Sequence, residues 1–202
     1  HSFVKGGQRA SAEALLEEMV ASRVPRNTVT YNMLIDSAVK HDDLERGEAW
    51  LQRMSLDDLQ ASQVSFTTLI HGWAMRGDMA KVEALLGTMA KNRLKPNAVC
   101  YNSIMSACSH AGDVSGAMAW GSRMCSEGVL PTVTSYTIMV DAYAKRGNIE
   151  GAEKWMETME ALGMQPNVVS YAVMVDACVK GGAMGRAHQW HLRMQAKGVE
   201  PN

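Results

Sequence analysis

The chain has 202 residues, 47% of them hydrophobic, with 20 Lys and Arg against 21 Asp and Glu, a formal net charge of −1. This is enough apolar material for a core, but there is no run of eighteen apolar residues for a membrane span and no signal-peptide layout at the start. The charge balance argues against the wholesale basic surface that grips duplex nucleic acid and leaves room for a local basic stripe.

Laid over itself at a step of 35 residues, the chain repeats without insertion or deletion. Tyr31, Phe66, Tyr101, Tyr136 and Tyr171 form one ladder, and Met19, Met54, Met89, Met124, Met159 and Met194 a second. Gly77, Gly112, Gly147 and Gly182 form a third, and Pro96, Pro131, Pro166 and Pro201 a fourth. A fixed period of this size is the signature of stacked repeats.

In chain order, residues 1–27 read as the back part of one copy, because Gly7, Ala12 and Met19 fall where Gly147, Ala152 and Met159 fall later. The chain opens inside a copy and without Met, so a fragment is expected. Complete copies then span 28–62, 63–97, 98–132, 133–167 and 168–202. In the fourth, Tyr136, Met139, Val140 and Tyr143 stand at i, i+3, i+4 and i+7 and predict one face of a first helix. Gly147 suits a left-handed C-terminal cap, and Lys145 and Arg146 suit the negative end of that helix. Ile149, Ala152, Trp155, Met156 and Met159 predict a second helix, closed by Gly163 and Pro166. Gly47, Ala117, Ala152 and Ala187 place a small residue at its middle, with Val82 the exception. The Met ladder and Trp50, Trp120, Trp155 and Trp190 read as core. A lone hairpin leaves apolar stripes in water, so neighbours must stack, which predicts an all-α superhelical solenoid of helix hairpins.

The cysteines, Cys100, Cys108, Cys125 and Cys178, have neither CxxC spacing nor histidines at finger spacing, so zinc is not expected. Cys108 and Cys178 share a repeat position with Trp73 and Tyr143 and read as buried thiols. Asp36, Asp141 and Asp176 recur once per copy, and packed helices lie about 8–10 Å apart, too far for three such carboxylates to share one ion. His188 and His191 lie three apart without a third ligand nearby. No phosphate-binding glycine loop and no nucleophile motif is present, so no enzyme and no cofactor is expected.

The 35-residue step, the openings Val29-Thr30-Tyr31-Asn32 and Val99-Cys100-Tyr101-Asn102, the central small residue, the late Met and the closing Pro-Asn together resemble the pentatricopeptide repeat family. The resemblance covers the whole chain. It implies a right-handed superhelix that binds single-stranded RNA at one base per repeat, usually in mitochondria or chloroplasts, with processing, stabilisation, splicing or translation as outcomes. In the family the residue after the early aromatic pairs with the last residue of the copy to select the base. Carried over, Asn32 with Ser62 favours cytosine, Thr67 with Asn97 adenine, Asn102 with Thr132 a pyrimidine, and Thr137 with Asn167 adenine. Ala172 with Asn202 departs from the pattern, since Ala172 has no hydrogen-bonding side-chain atom. The implied footprint is 5′-C-A-C/U-A-N-3′. Val29, Val64, Val99, Thr134 and Val169 match the position that stacks on bases, and Lys40, Arg76, Lys145 and Lys180 a position near phosphates, where a helix-capping charge reads equally well. Further departures are Arg26 and Ala61 in place of the closing Pro, Asp42 in place of the turn Gly, and Asp57-Asp58 near the end of the first complete copy. From a different class, a protein-binding or structural solenoid within a larger ribonucleoprotein, such as an organellar ribosome, also fits the near-zero charge.

Overall fold

The computed structural model describes residues 27–200, which contain ten α-helices and no strand. The helices are α1 (Thr28–Lys40), α2 (Leu44–Leu56), α3 (Gln63–Arg76), α4 (Met79–Lys91), α5 (Ala98–His110), α6 (Val114–Ser126), α7 (Val133–Lys145), α8 (Ile149–Ala161), α9 (Val168–Lys180) and α10 (Met184–Ala196). The expected partial copy, apart from Asn27, lies outside the described residues, as do Pro201 and Asn202.

Each odd-numbered helix starts on a polar side chain that caps it. Asn27, Ser62, Asn97, Thr132 and Asn167 each accept the backbone N–H three residues on, satisfying a donor that the first turn leaves open. The hairpin turns close on a left-handed residue, Gly77, Gly112, Gly147 or Gly182, and in the first hairpin on Asp42 at φ +59°. A side chain there meets the steric penalty that glycine avoids.

The chain divides into two compact units, 1–95 and 96–202. In the first, α1 packs on α2 and α3, and α3 on α4. Tyr31, Ile35, Leu44, Met54, Phe66, Leu69, Ile70 and Met89 are buried between them. Gly47 lets α2 approach closely, since a Cβ there would stand 2.6 Å from Leu69 Cδ2. In the second, α5 to α10 form three hairpins, with α7 packed on α5 and on α9. Val140, Ala152, Met156, Met159, Tyr171, Met174 and Cys178 form one continuous core. The methionines of the ladder from Met54 to Met194 are buried throughout.

The tryptophans differ from expectation. Trp190 is buried, whereas Trp50, Trp120 and Trp155 are partly buried, Trp50 and Trp155 packed against the edge of the core. Each lies at the outer border of its hairpin, tilted against the tyrosine of the first helix, with ring centroids 5.9 to 6.5 Å apart. Arg123 and Arg193 cover the rings of Trp120 and Trp190 at 4.9 and 4.8 Å. The indole completes the tyrosine's packing on one side and meets solvent or a guanidinium on the other.

Candidate nucleic-acid interface

On the first helix of a copy, the second, fifth, ninth and thirteenth residues fall within about 80° of one another at 100° per residue, opposite the buried tyrosine. That face carries the stacking candidates, the base-selecting candidates and most of the cations. Val29, Val64, Val99 and Val169 are 57 to 63% exposed, and Thr134 is exposed as well. Exposure on this scale is costly for an aliphatic group and leaves an apolar shelf at the start of each of these first helices.

Behind the shelves lie the base-selecting candidates. Asn32 Nδ2 donates to Ser62 Oγ at 3.3 Å, and Asn102 Nδ2 donates to Thr132 Oγ1 at 3.4 Å. Thr137 and Asn167 meet through a third residue: Ser170 Oγ lies 2.6 Å from Thr137 Oγ1 and 3.1 Å from Asn167 Oδ1. Thr67 lies on α3 of the first unit, and Asn97 caps α5 of the second through the Cys100 N–H at 3.0 Å. Ala172 is exposed on α9, and Asn202 lies outside the described residues.

The bonds already made determine what these groups can still offer. Asn102 Oδ1 accepts from Ser135 Oγ at 2.7 Å, and one Nδ2 proton goes to Thr132. One N–H therefore remains to donate, which suits an acceptor on a pyrimidine edge, N3 or O2 of cytosine or a carbonyl oxygen of uracil. Asn32 is held in the same way by Ser62 and Ser65. Thr137 behaves differently. Its single proton is used inside the protein, on the Val133 carbonyl at 2.8 Å or on Ser170, so what this nearly buried hydroxyl has left is an oxygen lone pair. Asn167 Oδ1 accepts the Ser170 N–H at 3.0 Å, which leaves its Nδ2 free to donate. An acceptor beside a donor matches an amino group beside an unprotonated ring nitrogen, which the Watson–Crick edges of adenine and cytosine present and those of uracil and guanine do not.

Pattern reading missed two groups. The buried serines Ser65, Ser135 and Ser170 hold the base-selecting side chains, and their signal was a hydroxyl three residues after a capping residue. The recurrent aspartates are the cations' partners. Lys40 pairs with Asp36, Lys180 with Asp176 and Lys145 with Asp141, each at 2.6 Å. Asp141 also accepts from Ser109 Oγ at 2.7 Å, and His110 lies 3.2 Å from Lys145 Nζ. Arg76 stands one residue later than the lysines and turns to the preceding hairpin, where it meets Asp42 at 3.1 Å and Glu45 at 2.8 Å. Among the described residues no three His, Cys, Asp or Glu side chains come together to hold a metal ion.

Helix hairpins capped and turned alike, with buried aromatic and methionine ladders, define an α-helical repeat solenoid. Family models extend this along the chain. A PPR repeat model matches residues 29–59 and 169–199, a pentatricopeptide repeat domain model 49–111, and a PPR repeat family model 96–145 and 131–180. The chain belongs to the pentatricopeptide repeat family. Among solved structures it is similar to the pentatricopeptide repeat protein PPR10 from maize, at 25% identity and TM-score 0.69 over 94% of this chain and 27% of that one. PPR10 in complex with an 18-nt psaJ RNA element is similar at 23% identity and TM-score 0.77, over 98% of this chain and 29% of that one. The PPR domain of Arabidopsis thaliana protein-only RNase P 1, in complex with tRNA, is similar at 17% identity and TM-score 0.62, covering 86% and 91%. The chain thus spans less than a third of the PPR10 chains it resembles. Among the curated proteins none matches it.

Proposed function

We propose that this chain binds single-stranded RNA through the exposed face of its first helices, one base per repeat, and performs no chemistry of its own. The observation that carries the reading is the hydrogen-bond inventory at the junctions between copies. Asn32 with Ser62 and Asn102 with Thr132 are left with donors, whereas Thr137 with Asn167 is left with an acceptor and a donor. Two junction types differing in this way are what a base reader needs, and a scaffold indifferent to bases would have no use for the difference. The rows of exposed valines supply stacking faces, on the order of 1 kcal/mol per base at the low end of such contacts. That PPR10 and the protein-only RNase P domain are found in complex with RNA supports RNA as the ligand class.

The finer reading is the footprint 5′-C-A-C/U-A-N-3′, with action on transcripts of a mitochondrion or chloroplast. Binding of the purified chain to a single-stranded RNA carrying CACAA is expected to be at least about tenfold tighter than to a scrambled RNA or to the same sequence as duplex, a difference of about 1.4 kcal/mol. The double substitution Thr137→Asn with Asn167→Asp is expected to move the fourth base from adenine toward uracil. Equal affinity for all of these RNAs would end the base-reading assignment in favour of a protein-binding scaffold.

A further inference from the structure

We propose that the third residue of a copy is a positioning residue for the base-selecting side chain of the copy before it, so that the base chosen by one repeat depends on its successor. The inference rests on the base-reading function above and deepens it. Ser65, Ser135 and Ser170 are 0, 3 and 0% exposed. Ser65 and Ser135 donate backward across the junction, to Asn32 Oδ1 and, at 2.7 Å, to Asn102 Oδ1, while Ser170 Oγ lies 2.6 Å from Thr137 Oγ1 and 3.1 Å from Asn167 Oδ1.

The serines are themselves fixed. Ser65 Oγ and Ser135 Oγ accept the backbone N–H of the capping residue, at 3.1 and 3.0 Å. For Ser135 the other acceptors within reach are Thr132 Oγ1 at 3.3 Å and the Met124 sulfur at 4.0 Å, both longer contacts than the 2.7 Å to Asn102 Oδ1, so its proton goes to Asn102. That bond decides which end of the Asn102 amide is oxygen. Removing it frees the amide to turn by half a rotation about its last torsion, which is soft. The group facing the RNA would then change from an N–H donor to a carbonyl acceptor. A donor fits the acceptors of a pyrimidine edge, and an acceptor fits an amino group, so the loss should appear as mixed base preference and not merely as weaker binding. At the equivalent place the sequence has Cys100, whose thiol is a weaker donor.

The test uses four RNAs that differ only in the third base of CACAA, with the native chain, Ser135→Ala and Ser135→Thr. Threonine occupies the equivalent position at Thr30, and the second variant keeps the hydroxyl. The native chain is expected to prefer cytosine or uracil at the third base. Ser135→Ala should shrink that preference by about threefold or more, the size of one net hydrogen bond, while the preference at the fourth base stays as it was. Ser135→Thr should restore the third-base preference. An unchanged third-base preference in Ser135→Ala overturns the proposal and leaves base reading intact. So does an equal loss on all four RNAs that follows a fall in thermal stability. A native chain with no third-base preference overturns base reading and the proposal with it.

Discussion

Asn167 accepts the backbone N–H of Ser170 and thereby starts a helix, and the same bond leaves its Nδ2 free. The residue the family pattern assigns to base choice is thus also a structural cap, contributing about 1 kcal/mol to the helix it begins. One side chain serves both ends because capping uses only the oxygen of the amide. Strain is visible at the same scale. Between copies the left-handed turn is held by Gly128, Gly163 and Gly198, but at the ends of the first and second complete copies by Asp58 at φ +56° and Arg93 at φ +58°. Arg93→Gly is expected to stabilise the protein by about 0.5–1.5 kcal/mol, measured as a higher unfolding midpoint. Asp141 offers a different handle, because its carboxylate holds Lys145 at 2.6 Å on the candidate RNA face. Asp141→Asn should release that ammonium and tighten RNA binding by about two- to fivefold, the scale of a partly exposed ion pair. Unchanged affinity would place Lys145 away from phosphates.

The hairpin was legible because two apolar stripes with helical period flank a turn. What one hairpin demands of its neighbour was not. Gly72 lies on α3 where a built Cβ would stand 2.5 Å from Leu44 Cδ2 and 3.1 Å from Val39 Cγ1, both from the preceding hairpin. Ala107, Ala142 and Ala177 occupy the equivalent positions in later copies, so alignment alone would call alanine acceptable there. Gly72→Ala is expected to destabilise by about 1–3 kcal/mol through overpacking, read as a lower denaturant midpoint. The opposite fault occurs at Gly121, where the ladder elsewhere has Leu51, Leu86 and Met156. A cavity of about 190 Å³ opens beside it, lined by Met105, Met124, Met139 and Trp155. Gly121→Ala places a Cβ at 3.4 Å from Met105 Cε and removes a helix-interior glycine, so a gain approaching 1 kcal/mol is expected.

For the whole molecule, a net charge of −1 means that affinity for RNA cannot come from overall attraction and must come from placed contacts. Three of the four candidate phosphate contacts are lysines bound to aspartates one turn away, and the fourth is Arg76 between two carboxylates. If RNA takes these cations, about four counterions' worth of salt dependence follows, a slope near −3 in log affinity against log salt for a single strand. A titration over several salt concentrations reads this directly, and a slope near zero would remove all four from the interface.

The period, the paired helices, the inward-facing aromatic and methionine ladders and the register of the polar positions were all legible along the chain. Those properties follow from side-chain spacing, and each copy restates them. Only the tertiary structure decided how the polar positions are used. The serine that holds Asn102 comes from the next hairpin, and Arg76 turns to the carboxylates Asp42 and Glu45 of the hairpin before its own. Hydrogen bonds across a junction depend on where two helices stand to within a few tenths of an ångström, and no spacing along one chain carries that information.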